Sequence, residues 1–391
     1  MSHPLLGRDL RSSPCYELVL YDRLPDAARS ALAELAHDPG FYGVLRHRDT
    51  AALKSVDRDT ALLFYTLREP GPLPGYVRAQ LGATAPRLIS RLVADGVLEI
   101  EQDGVFVSGP AALARLGGEA GPGNGGEGRI AALSVDALRY GQSLPLDDPS
   151  LLAWRLYSYN RQPLTPAWRH RLPTAAAVES WLGIDRGGAS RKLLDSAWLP
   201  LATEGWLTWQ SRSRGRSRNA EAGGRADGPT WKLYVSPRPE ALAESFAAVL
   251  AALTAARAAQ FKVGRDAAGL LRPDKIVSYF PSWERLAAAA GAVLERLDGV
   301  PAQGVPFTAE VGGAGLVSWG VDPPAAERSA LGGSRESWRV WVAQRLAWSL
   351  LAARRAEERG LEPWRFALER VRLEGVDTET WAPGAALWKS A

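Results

Sequence analysis

An α+β protein is predicted: an N-terminal winged helix, then an α+β domain whose small sheet is covered by helices. Three observations predict it. Before residue 116 the pattern runs helix, helix, helix, hairpin. After it comes "RLGGEAGPGNGGEGRI", rich in glycine and without apolar periodicity, as linkers are. Beyond that, short aromatic and β-branched runs alternate with long alanine-rich helical stretches. The expected division is 1–116, a linker at 117–128, and a second domain at 129–391.

In the first domain "LPDAARSALAELAHDPGFYGVLRHR" reads as a helix and a strand. "DRDTALLFYTLREPG" is a helix with an Asp start and a Pro-Gly stop. "LPGYVRAQLG" is a second helix, and "TAPRLISRLVADG" a third with Thr84 as N-cap, Pro86 in the first turn and Gly96 at the end. "VLEIEQDGVFVSG" alternates around a Gln-Asp-Gly turn, which signals a hairpin.

In the second domain helices are expected over "SVDALRYG", "DPSLLAWRLYSYNR", "TAAAVESWLG" and "GASRKLLDSAWL". Strands are expected at "GWLTWQ", "TWKLYVS" and "KIVSYF", with helices after the second and third. The Arg-rich stretch 211–229 between the first two strands reads as a long mobile hairpin loop. "GGAGLVSWG" reads as a loop. "SRESWRVWVAQRLAWSLLAARRAEERG" is a long helix whose Trp338, Trp341 and Trp348 share a face, as core packing requires.

Composition narrows the function. No apolar run approaches the roughly eighteen residues of a membrane span, and the N-terminus lacks a secretory h-region. A single cysteine, Cys15, excludes internal disulfides and argues against a thiolate zinc site. His3, His37, His47 and His170 are too dispersed in sequence for a metal cluster. A reduced cytoplasmic protein without metal or cofactor is expected. Residues 1–116 hold thirteen basic against fourteen acidic residues, so the whole-chain charge of +4 resides in the remainder. The third helix offers only Arg87 and Arg91, and the hairpin carries Glu99, Glu101 and Asp103, which phosphates repel. This argues against nucleic acid and for a peptide or protein ligand, added as a strand at a sheet edge. A purely structural role for the domain stays open.

No Walker loop, dinucleotide fingerprint, nucleophile elbow or H-E-x-x-H motif is present. Lysine usage carries more information. The chain has six lysines against forty-one arginines, yet Lys232, Lys262 and Lys275 fall close together at apparent strand ends. Around "WRLYSYNRQPLTPAWRHRLP", Arg155, Asn160, Arg161 and His170 crowd near tyrosines and tryptophans, as in peptide-binding surfaces or a packed aromatic cluster.

The order "FKVG", "LRPDKIVSYF", "GVPFTAEVGG" resembles the HopA-type type III effector family, over roughly residues 150–380. Matching positions are Phe261 and Lys262, then Arg272, Asp274, Val277 and Tyr279, then Pro306 and Thr308. The family's Ser-Phe-Gly is replaced by Ser337-Trp338-Arg339. Actinobacterial relatives serve as the lyase component of class V lanthipeptide and thioamitide synthetases. The resemblance implies a lyase-like domain that eliminates phosphate from phosphoserine or phosphothreonine in a ribosomally made precursor peptide. A kinase-like partner would install the phosphate, and the winged helix would capture a leader peptide.

Such chemistry needs a base that is neutral when it acts. Lysine among other cations can be that base, whereas arginine cannot. Lys262 is the first candidate, with Lys275 and Lys232 as rivals. Arg272 and Arg265 become phosphate contacts, Tyr279 or His170 the proton donor, and Asp274 an orienting carboxylate. A non-catalytic scaffold or cyclisation partner, and a winged-helix regulator, are the alternatives.

Overall fold

Alternating apolar and polar residues over the described part of the chain build one large antiparallel sheet and smaller ones beside it. The computed structural model describes residues 7–49, 53–116, 128–213, 230–323, 336–356 and 361–384. The protein is α+β, and it divides into two compact units. Met1–Pro122, Ala325–Glu336 and Trp348–Gly375 form the first; Gly123–Pro324, Ser337–Ala347 and Val376–Ala391 form the second. The second unit is therefore not the continuous 129–391 expected from the sequence. Residues 348–375 belong with the N-terminal residues because the helix Pro363–Leu373 packs on α4 (Ala85–Ala94). Arg87 Nε donates to the Leu373 carbonyl at 3.1 Å, and Arg370 pairs with Asp95.

In the first unit β1 (Asp9–Ser12) joins β5 (Gly71–Pro72), β6 (Leu98–Gln102) and β7 (Val105–Val107) in one sheet. A second sheet holds β2 (Tyr16–Leu20), β3 (Phe41–His47) and β4 (Leu53–Asp57). Neither β1 nor β2 was expected. Helices α2 (Arg58–Thr66), α3 (Gly75–Leu81) and α4 precede the hairpin β6–β7, whose turn places Asp103 and Gly104 at φ of 53° and 82°. Asp57 caps α2 by accepting from Thr60 N. Thr84 does not cap α4: it is itself helical in φ and ψ, and its hydroxyl donates back to the Leu81 carbonyl.

Antiparallel pairing also brings together residues that sequence spacing keeps apart. Tyr16 lies opposite His47, so Cys15, His47 and Asp49 place their donor atoms within 4.8 Å of one another. The expectation of dispersed ligands rests on linear distance, which register overrides.

The second unit is built on a seven-stranded antiparallel sheet in the order β13-β14-β10-β12-β11-β9-β8. Its strands are β8 (Trp198–Thr203), β9 (Trp206–Ser211), β10 (Trp231–Val235), β11 (Gln260–Gly264), β12 (Ile276–Phe280), β13 (Ala309–Val311) and β14 (Val317–Val321). Three readings change here. Strand β8 follows directly on the helix Arg191–Ala197 and takes Trp198 and Leu199 from the end of "GASRKLLDSAWL", which reads as one helix. The second half of "GGAGLVSWG" is strand β14, not loop. Finally, β11 and β12 lie between β9 and β10, so those two are not a hairpin; residues 214–229 between them, with Arg214, Arg216, Arg218 and Arg225, lie outside the described residues.

Side chains alternate across this sheet. Phe261, Val263, Ile276, Phe280, Leu233, Val235 and Val317 enter the main core with Leu242, Phe246, Val249, Leu250 and Leu253 of Pro239–Ala255, and with Leu286 and Val293 of Trp283–Arg296. Tyr234, Val277 and Tyr279 form a separate small cluster with Val305. Trp338 and Trp341 are buried, but Trp348 is 57% exposed, so the expected three-tryptophan core stripe stops at Trp341. Among the described residues no helix is long and apolar enough to cross a membrane.

Gly264, which ends β11, is a tight point of the sheet. A Cβ there would stand 2.4 Å from the Gly269 carbonyl carbon and 2.7 Å from Leu270 N, both backbone atoms that cannot rotate away. Gly264→Ala is expected to lower stability by about 3 kcal/mol, at the upper end for overpacking. Urea denaturation measures it.

Candidate active site

The face of the sheet opposite the main core carries the charged groups. Across neighbouring strands, Lys232 lies opposite Tyr279 and Tyr279 opposite Gln260; Tyr234, Val277, Lys262 and Thr208 form the adjacent row. Register alone thus puts Lys232, Tyr279 and Lys262 on one face. Trp206, at the start of β9, joins this group. Lys262 Nζ sits 4.2 Å from the Trp206 ring centroid and 6.0 Å from that of Tyr279. Lys232 Nζ lies 5.3 Å from the same Tyr279 ring, on which both amines converge.

Beside them is a buried carboxylate. Asp274 Oδ1 accepts from Arg272 Nε at 2.8 Å, and Oδ2 accepts from Arg272 Nη2 at 3.0 Å and from the Tyr157 hydroxyl at 2.9 Å. Arg339 Nη1 lies 2.9 Å from Oδ2. Arg339 is itself fixed, donating to the carbonyls of Tyr157 and Pro306, and its guanidinium covers the Tyr157 ring at 4.4 Å. The Arg272 guanidinium lies 5.0 Å from the Trp206 ring. Strand alternation would have turned Asp274 toward the core face. It instead precedes β12, in a turn where the alternation does not hold.

The protonation states follow. Burial disfavours ionisation of Asp274, but Arg339 and Arg272 more than offset it and hold the carboxyl well below its usual range. Tyr157 is pushed up to about 12, chiefly by burial and secondarily by Asp274. Tyr279 is raised by burial and then by Asp322, so it keeps its proton at neutral pH. Lys262 is lowered to about 8, first by burial, then by Lys232, with Arg272 adding to the effect. Its amine therefore exists in part as the free base near neutrality.

The remaining candidates are placed as follows. Lys275 has no exposed surface; its ammonium donates to the Pro237 carbonyl and Gln303 Oε1, so no ligand reaches it. Thr308 is likewise fully buried, bonded to the Val305 carbonyl and Ser318. Asn160, at φ 65°, spends its amide on the Gln303 and Gly304 carbonyls. Arg161 is exposed and donates to the Ala268 carbonyl. Arg155 and His170 are exposed on the helices Pro149–Tyr157 and Pro166–Arg171 and join none of the contacts around Lys262. Arg265 is exposed and lines a hollow that Trp206 also borders.

Several participants escape sequence reading. Tyr157 and Arg339 come from helices far along the chain from Asp274. Asp322 Oδ2 pairs with Lys232 Nζ at 2.6 Å, while Oδ1 accepts from Trp338 N. Asp322 follows a strand whose sequence reads as loop, so its position is not visible there. Trp206 lies in an expected strand but carries no motif.

No family model matches the chain, and no curated protein does. Among solved structures, an effector protein from Pseudomonas syringae pv. tomato strain DC3000 matches at TM-score 0.37 and 13% identity, over 65% of this chain and 97% of that one. Another effector, from Pseudomonas syringae pv. syringae strain 61, gives 0.33 and 14%, over 66% and 98%. The Chromobacterium violaceum VirA (SpvC) phosphothreonine lyase effector gives 0.24 and 13%, over 38% and 77%. Likenesses this remote name no family for the chain.

The buried Lys275 makes a measurable signature. Burial lowers it to about 7, so between pH 7 and about 10 the unfolded chain holds a proton that the folded one has released. Stability therefore rises with pH across that window, by up to about 1.4 kcal/mol per pH unit for this proton. Lys275→Met is expected to reduce the rise between pH 7 and 9.5 in urea midpoints, leaving the contributions of the other lysines that burial lowers, Lys262 above pH 8 and Lys54.

Proposed function

We propose that this chain eliminates phosphate from phosphoserine or phosphothreonine in a ribosomally made precursor peptide, leaving a dehydroamino acid in a lanthipeptide-type biosynthesis. The observation that carries the reading is the Lys262 amine, lowered to about 8, held against Trp206 and Tyr279 with Lys232 and Arg272 beside it.

Lys262 takes the Cα proton. The electron pair of that C–H bond becomes the Cα=Cβ double bond, the Cβ–O bond breaks, and phosphate leaves with the bonding pair. Lys232 and Arg272 meet the phosphate and stabilise the charge that it carries away. Tyr279, which burial keeps protonated and whose ring lies 5.3 and 6.0 Å from the two amines, donates a proton to the departing oxygen. With His170 exposed on another helix, Tyr279 is the better donor. Asp274 works indirectly, holding Arg272 in place through two hydrogen bonds. Asp322 keeps Lys232 at the mouth of the site.

The first unit is read as a winged helix that captures the leader of that peptide, with a kinase-like protein as the second partner. Three helices followed by a hairpin support the fold, and β2 and β4 form the edges of a three-stranded sheet that an added strand can extend. Arg87 is engaged with Leu373, and Arg11 neutralises Glu99 at 2.6 Å, which leaves little basic surface for DNA on α4 or the hairpin.

Mass spectrometry of a phosphorylated precursor incubated with the protein tests this. The expected product is one water lighter than the unphosphorylated peptide, which a phosphatase would not give. Lys262→Ala is expected to slow product formation at least about a thousandfold, within the range of general-base effects. Lys262→Arg, which restores charge without a usable base, should not rescue it. Because the base acts when deprotonated, kcat/KM should rise with pH and level off above about 8, with no fall through the ordinary tyrosine range because Tyr279 is raised. Unchanged phosphopeptide with the wild-type protein and its kinase would overturn the reading.

A further inference from the structure

The row of residues that contains Lys262 does not end at that residue. Lys262 lies opposite Thr208 on β9, and Thr208 lies opposite Leu201 on β8. The next row runs from Lys232 through Tyr279, Gln260 and Gln210 to Leu199. Residues directly opposite in antiparallel strands share a face, so Leu199 and Leu201 stand on the same side of the sheet as the amines. They are 39% and 38% exposed. Their strand neighbours Trp198, Pro200 and Ala202 lie opposite Ser211, Trp209 and Leu207, on the other face, and Trp198 is buried in the main core. A hollow of about 630 Å³ at this end of the sheet belongs mainly to that other face, lined by Trp198, Pro200, Ala202, Leu207 and Trp209, and only its rim is shared by Leu201 and Trp206. Trp206 borders that hollow and also stacks against Lys262 at 4.2 Å.

We infer that this outer strip of the sheet binds the substrate peptide next to its phosphorylated residue, with Leu201 and Leu199 selecting an apolar side chain. The inference rests on the lyase reading. Two strand spacings separate Lys262 from Leu201, about 10 Å, and an extended peptide advances about 3.3 Å per residue. A peptide with its Cα proton at Lys262 that crosses the strands toward β8 therefore sets its second or third neighbouring residue over Leu201. The occupant is the substrate itself, because the same face carries, two strands away and beyond, the amines that would handle its phosphate, with buried Thr208 and half-buried Gln210 and Gln260 between. It crosses the face and does not extend the edge of β8, since Pro200 removes one N–H from that strand.

The test uses phosphoserine peptides carrying Leu or Asp at the second and third positions on either side of the phosphoserine, with the wild-type protein and Leu201→Asp. Leu201 is exposed, so the variant is expected to fold, and Leu201→Met serves as the conservative control. The wild type should prefer Leu over Asp at one of these positions by about tenfold in kcat/KM, the worth of part of a leucine side chain. Leu201→Asp should raise KM for that peptide about tenfold with kcat unchanged and lose the preference; Leu201→Met should keep both. Equal KM values for wild type and Leu201→Asp overturn the inference while leaving the lyase reading standing. If no peptide loses phosphate, the lyase reading fails, and fluorescence anisotropy with the same labelled peptides decides the docking surface. Weaker binding to Leu201→Asp supports it; equal binding overturns it.

Discussion

A single carboxylate holds the site together. Asp274 is almost wholly buried, and removing its charge from water is costly unless cations and hydrogen-bond donors replace the hydration. Arg272, Arg339 and Tyr157 do so, and each is drawn from a different part of the chain. The demand of one oxygen pair therefore gathers two helices and a pre-strand turn around a common point. Arg272 also reaches the Trp206 ring, so the same interaction that neutralises Asp274 brings a guanidinium to the ring that Lys262 faces.

Lys262 shows the complementary principle. Its amine faces the Trp206 and Tyr279 rings; burial and Lys232 lower its pKa, Asp274 opposes them, and Arg272 adds a smaller lowering. Cation–π contact compensates for only part of lost hydration, and repulsion from Lys232 and Arg272 works against the charged form. One cation is thus kept permanently charged by Asp274 while another, nearby, is released toward neutrality. Two environments on one face of the sheet separate the clamp from the base.

How much of this can be read in advance depends on whether the cause is local. Helix starts and the β6–β7 turn are set by neighbouring residues, and Asp57 and the Asp103-Gly104 pair are legible for that reason. The rarity of lysine in an arginine-rich chain points to Lys232 and Lys262, whose amines lie beside the Tyr279 ring. Lys275 shares the same signal yet lies sealed in the interior, because nothing in the sequence distinguishes a solvated end of a strand from a packed one. The sequence marks Arg339 only as a departure from the family's Ser-Phe-Gly and Tyr157 only as one aromatic of a cluster, and it gives no sign of Asp322. Their importance comes from pairing between distant parts of the chain, or from a strand that looks like glycine-rich loop. The Cys15, His47 and Asp49 grouping escapes on the same ground: the antiparallel register of β2 and β3, not spacing, makes neighbours of them.

The return of residues 348–375 to the first unit has a consequence for biogenesis. During synthesis the segment around α4 leaves the ribosome with part of its own packing surface still untranslated: the Leu373 carbonyl that receives Arg87 emerges 286 residues later, together with the Arg370 that answers Asp95. In a nascent chain that segment therefore lacks these contacts while the larger sheet is being made. Cutting the gene after the glycine-rich junction would yield a fragment deprived of a supporting helix, not a miniature of the native body.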